Sequence, residues 1–233
     1  MYDLKNLVYL DLQKTGSGYI SAFLEHCCTL DLIKHQQHSV IKDDFNPEAF
    51  YFISIRNPSK LYSSLYRYGK QKSGGMFERL SKSDTVDVDK IYESFDAFTD
   101  FVLSPQNATL LDNAFTPRIS EKYGFASYRF LRLSLQYPMK KIEKHLRNNS
   151  PDIELKKQFI HSLVIKNENL NEDIYNFSMN IKPEFFDPEK VKTFLSANEK
   201  INTSKIASSK IPELAPSLKS EIERRDALLL EHY

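Results

Sequence analysis

The chain has 233 residues, 41% of them hydrophobic and 27% charged, the make-up of a soluble globular protein with ample material for one core. Its 32 lysines and arginines face 31 acids, a net charge of +1, so no broad field favours nucleic acid or an anionic membrane and any positive potential must be local. No run approaches the ~18 apolar residues of a membrane span and the first residues carry no signal-peptide pattern, so a single cytoplasmic domain over residues 1–233 is expected.

In chain order, Leu7, Val8, Tyr9, Leu10 and Leu12 read as a buried strand. Gln13-Lys14-Thr15-Gly16-Ser17-Gly18 interrupts it, and Ile20, Phe23 and Leu24 then recur at helical spacing. A strand, a short glycine loop with a lysine and a helix make an anion cradle. The first helical N–H groups lack internal partners, and the helix dipole adds partial positive charge. Gly16 and Gly18 are expected to take positive φ and let the backbone approach the anion, while Lys14 adds a mobile charge. The same loop taken alone also fits a plain strand-to-helix turn with an exposed lysine. It is not the nucleoside-triphosphatase loop, because its lysine precedes the glycines. Cys27 and Cys28 are adjacent near the end of this helix, where a disulfide would be strained, and are read as free, largely buried thiols.

Thr29–Lys34 reads as a short second strand and His35–Asn46 as a polar segment with room for a helical turn. Phe50–Ile55 is an aromatic and β-branched strand. It delivers Arg56 at its end, followed by Asn57 as N-cap and Pro58 as first helical residue. Leu61, Leu65 and Tyr68 form the apolar face of that helix, and Lys60, Ser64 and Arg67 lie on another stripe. Arg56 and Ser64 make a second candidate anion site, although Arg56 could equally pair with an acid and Ser64 be an ordinary surface serine. Further on, Gly69–Val86 reads as a loop-like flap and Ile91–Val102 as a buried helix. Met139–Arg147 reads as a helix, Phe159–Lys166 as a strand, and Asn169–Phe177 and Pro188–Ala197 as helices. Asn198–Ala215 reads as a loop before a C-terminal helix through Leu218, Ile222 and Leu229. Strands alternating with helices argue for an α/β fold with a mainly parallel central sheet flanked by helices.

QKTGSGY after the first strand resembles the 5′-phosphosulfate loop of sulfotransferases that use 3′-phosphoadenosine 5′-phosphosulfate (PAPS), commonly PKTGGTS or PKTGSTS. RNPSKLYSSLYRYG resembles their 3′-phosphate motif, with Arg56, Asn57, Pro58, Ser64 and Tyr66 in register. The nearest likeness is to the carbohydrate branch, of bacterial or phage type. LVIKNENLNED (Leu163–Asp173), NTSK (Asn202–Lys205) and IERRDALLLEHY (Ile222–Tyr233) resemble the same branch more weakly, while 70–160 matches poorly and would hold acceptor recognition. Gln13 stands where proline is common, and Gly18 and Tyr19 replace two hydroxyl residues. Thr15 and Ser17 remain to touch the anion.

The resemblance implies a P-loop-like sulfotransferase fold and transfer of a sulfuryl group from PAPS, without a metal, to a hydroxyl of a carbohydrate-like acceptor. It implies donor contacts from Lys14, Thr15, Gly16, Ser17, Gly18, Tyr19, Arg56, Ser64 and Lys205. Lys14 would neutralise the leaving oxygen. His38 or His35 in KHQQHS would take the acceptor proton, with His38 favoured because Ser39 follows it. Read alone, either histidine is equally a solvated loop residue. Two other readings stand beside this one: a nucleotide-dependent small-molecule kinase, and a catalytically degenerate sulfotransferase-fold binding module motivated by Gly18 and Tyr19.

Overall fold

The computed structural model describes residues 1–197 and 213–233. These residues fall into two compact units: 1–56, 132–138 and 153–197 in one, and 57–131, 139–152 and 213–233 in the other. The architecture is α/β, with a five-stranded mixed sheet and flanking helices. The strands are β1 (Tyr2–Asp3), β2 (Leu7–Leu10), β3 (Lys34–His35), β4 (Phe50–Ile55) and β5 (Leu163–Lys166), in the order β3-β1-β2-β4-β5. The parallel arrangement expected from the sequence holds for β2, β4 and β5. It fails at the other side, where β1 is antiparallel to both β2 and β3. Two reversals restore direction, so β3 runs the same way as β2.

The three parallel strands are each followed by a helix: α1 (Ser17–Cys27) after β2, α2 (Pro58–Lys70) after β4 and α3 (Leu170–Asn176) after β5. Asn57 caps α2 by accepting a hydrogen bond from the Ser59 amide at 3.1 Å, with Pro58 preset for the first turn. In the sheet unit Tyr9 stacks on Phe52 at 4.9 Å between centroids, and Phe52 meets Phe177 at 4.7 Å. Phe23, Leu24 and Ile165 complete the core, each such side chain contributing about 1.5–3 kcal/mol on burial. A further helix, α4 (Pro188–Ser196), lies in the same unit and buries Val191.

Several expected elements are shorter or broken. Thr29–Lys34 does not form the second strand. Only Lys34 and His35 pair, because their partner β1 is two residues long, and Leu32 and Ile33 are left 47% and 63% exposed. The strand expected over Phe159–Lys166 begins at Leu163, and Phe159 stands outside it in an isolated bridge to Leu135. The flap at Gly69–Val86 contains a helix, Gly75–Leu80. The helix expected over Ile91–Val102 is two helices, Val88–Ile91 and Phe95–Leu103, because the Ser94 hydroxyl caps the second by accepting from the Ala97 amide. The C-terminal helix likewise divides at Asp226 into Pro216–Arg225 and Ala227–Leu230. Most of the expected loop at Asn198–Ala215 lies outside the described residues.

In the helical unit Asp226 is fully buried. Its carboxylate accepts hydrogen bonds from the Ser127 amide at 2.7 Å and the Tyr62 hydroxyl at 2.8 Å. Burial nevertheless pushes its pKa up to about 6, the two donors offsetting only part of the desolvation. Among the described residues no helix is long and apolar enough to cross a membrane.

Candidate anion-binding site

The loop after β2 crosses the C-terminal edge of the sheet, where ligands of open parallel sheets bind. Lys14 takes left-handed backbone at φ 66° and Gly16 at φ 89°, and α1 begins at Ser17. Gly16 is the N-cap and brings no side chain to it. The first intrahelical bond runs from the Ile20 amide to the Gly16 carbonyl at 3.1 Å. The amides of Ser17, Gly18 and Tyr19 precede that bond and have no partner inside the helix. Gly18 lies within α1 and does not take the positive φ expected of it; Lys14 and Gly16 make the turn instead.

The underside of the loop is fastened to the core. The Thr15 hydroxyl donates to the Leu12 carbonyl at 2.6 Å and meets the Ser54 hydroxyl at 2.6 Å, and Ser54 meets the Tyr9 hydroxyl at 2.6 Å. Thr15 and Ser54 are both fully buried, so the Thr15 hydroxyl expected to touch the anion is turned inward. Tyr19 also departs from the expected contact: its hydroxyl donates to Asn171 at 2.7 Å and its ring lies 5.2 Å from that of Phe194. Of the loop hydroxyls, the half-buried Ser17 remains for a ligand.

Two cations meet at this edge. Arg56 directly follows β4 and donates from Nη1 to the Lys14 carbonyl at 3.3 Å. Lys14 is half-buried, and desolvation together with the neighbouring guanidinium lowers its pKa. An anion placed there relieves both effects. The edge continues onto β5, whose last residue Lys166 stands in register with Ile55. The next residue, Asn167, packs on the loop: a Cβ on Gly16 would lie 2.8 Å from its Nδ2. The Asp173 carboxylate accepts from the Lys166 amide at 2.6 Å and fixes the start of α3. Lys166 and Asn167 were not singled out in the sequence, although polar residues ending a strand at the ligand edge are the signal that marks Arg56.

The histidines occupy the other side of the loop. His35 is the last residue of β3, not part of a loop after it, and its ring lies 4.0 Å from that of Tyr2. His38 has φ 53° and is held by Asp11: its amide donates to Oδ1 at 2.9 Å and its Nδ1 donates to the Asp11 carbonyl at 2.7 Å. Asp11 also accepts from the Met1 amino group. A pocket of about 320 Å³ opens beside α1, and Asp11, Ser17, Gly18, Glu25, His35 and Gln37 are among its walls. His35 therefore faces the same space as the first turn of α1, and His38 is not among the lining residues.

Ser64 is half-buried on α2, in the helical unit. Lys205 lies outside the described residues. Cys27 is buried at the last turn of α1 and Cys28 partly so; both are free, and burial pushes the Cys27 thiol up to about 11. No family model matches the chain, and neither a curated protein nor a solved structure matches it. The likeness to sulfotransferases therefore rests on the motifs quoted above.

Proposed function

We propose that the protein is a sulfotransferase of P-loop-like fold that moves a sulfuryl group from PAPS to a hydroxyl of a carbohydrate-like acceptor in the cytoplasm. One observation carries the reading. A half-buried lysine, an arginine and the uncapped start of a helix meet at the C-terminal edge of neighbouring parallel strands, within the residues of the two motifs. The amides of Ser17, Gly18 and Tyr19 receive the phosphosulfate. Lys14 meets the charge that grows on the bridging oxygen as its bond to sulfur breaks. Arg56 takes the 3′-phosphate as a charged fork. The acceptor lies in the pocket on the β3 side, where its oxygen bonds to sulfur and its proton passes to the imidazole of His35. Adenosine 3′,5′-bisphosphate is the leaving product. His35 is preferred to His38 as the base because it lines the pocket and His38 does not.

Calorimetry with adenosine 3′,5′-bisphosphate in the absence of magnesium tests the donor site. Arg56→Ala should weaken the bisphosphate about 10- to 150-fold, the loss of a charged hydrogen bond, and weaken adenosine 5′-phosphate much less. Equal weakening of both removes Arg56 from the 3′-phosphate. A preference for ATP with magnesium supports the kinase reading. Tight bisphosphate binding without transfer of labelled sulfate to any of a panel of glycans, lipids and small alcohols identifies a binding module.

A further inference from the structure

The pocket beside the anion loop has two unlike ends. Ser17 and Gly18 form one, where the dipole and open amides of α1 favour negative charge. Glu25 forms the other, seven residues on and about 10 Å farther along the helix at 1.5 Å per residue. Gly18, Ser21 and Glu25 share one helical face at i, i+3 and i+7, so the wall between the ends is continuous. Glu25 is exposed and accepts a hydrogen bond from the Tyr2 hydroxyl at 3.0 Å, which steadies the carboxylate at the rim. The other acid in the wall, Asp11, is buried and already engaged with the Met1 amino group and His38, so it shapes the pocket without offering free charge. Among the described residues no lysine or arginine lines the pocket.

We propose that Glu25 is a specificity-determining residue of the acceptor pocket. It favours acceptors whose end remote from the anion loop carries an ammonium or hydroxyl donor and disfavours those with a carboxylate or sulfate there. An amino sugar meets this requirement and a uronic acid does not. The inference rests on the sulfotransferase reading for the role of the pocket, but the polarity it describes is readable by binding alone. A like charge brought near an exposed carboxylate is disfavoured about 5- to 10-fold, and an opposite charge is favoured by a similar factor.

The test titrates methyl glucosaminide, methyl glucoside and methyl glucuronide into the protein, with and without adenosine 3′,5′-bisphosphate, following amide shifts by NMR. Affinity should fall in that order. Glu25→Gln keeps an acceptor for Tyr2 and should collapse the spread between amine and uronate about 25- to 100-fold, about 5- to 10-fold for each against the neutral glucoside, at unchanged bisphosphate affinity. Glu25→Lys should reverse the order. Uronate bound as tightly as amine in the wild type, a spread that survives Glu25→Gln, or no saturable binding of any of the three overturns the proposal. Absence of bisphosphate binding overturns the donor reading instead, and the titrations without bisphosphate still report the polarity of the pocket.

Discussion

Alanine at position 16 puts a methyl carbon 2.8 Å from the Asn167 amide nitrogen and 3.1 Å from a Leu170 methyl, on backbone with φ 89°. The left-handed conformation costs an L-residue roughly 1–2 kcal/mol. Forcing a methyl group into packed surroundings costs about 1–3 kcal/mol more. Gly16→Ala should therefore destabilise the protein by about 2–5 kcal/mol, a large share of a typical stability of about 5–15 kcal/mol. The two contributions separate in a double-mutant cycle. Asn167→Ala in the Gly16→Ala background removes the nearest obstruction, so it should return part of the steric loss and none of the backbone loss, a coupling of about 0.5–3 kcal/mol. Urea unfolding followed by far-ultraviolet circular dichroism gives the overall change, and amide exchange across Ser17–Cys27 reports α1 itself. A Gly16→Ala variant within about 0.5 kcal/mol of wild type would refute the tight turn at this position. Full rescue by Asn167→Ala would refute the backbone share.

Two further outcomes follow from the buried acid and from the histidines. Asp226 binds its proton more tightly in the folded protein, at about 6 against 3.8 for an ordinary Asp, so its contribution to stability grows as pH falls from about 6 to about 4, by about 3 kcal/mol in all. Asp226→Asn mimics the protonated form and should be at least as stable as wild type at pH 7. The difference in melting temperature between the two should shrink towards pH 4.5, and a difference that does not change with pH removes Asp226 as its source. His35→Ala should lower turnover about 10²- to 10⁴-fold at unchanged bisphosphate affinity. His38→Ala should chiefly lower the melting temperature by freeing Asp11, and the reverse pattern would return the role of base to His38.

What the sequence disclosed and what it hid divide along the range of the interactions. The β2–loop–α1 unit and the β4–Asn57–Pro58–α2 unit are written in adjacent residues: buried strand runs, a glycine turn, an N-cap followed by proline. Both were legible for that reason. The direction of the Thr15 hydroxyl was not, because a turn residue gives no sign of which side it faces until Ser54, from another strand, is placed beneath it. Asn167 reaches the loop only through the parallel pairing of β4 with β5, strands that lie far apart in the chain. β1 is too short to show any periodicity, yet it decides both the length of β3 and where His35 stands. The break at Ser94 was hidden because the helical spacing of Ile91, Phe95, Phe98 and Val102 runs straight across it.

The chain of hydroxyls from Tyr9 through Ser54 to Thr15 joins the candidate ligand loop to the middle of the sheet. A loop anchored from below holds its shape whether or not an anion is present, and the ligand then meets amides that need no rearrangement. The arrangement also removes the usual boundary between residues that fold a protein and residues that serve it. Ser54 is fully buried, two residues before Arg56 on the same strand, and carries no chemistry of its own. A drift to alanine there would pass as a harmless core change in any comparison of sequences, and yet it would remove the hydroxyl that fastens the turn of the candidate anion site.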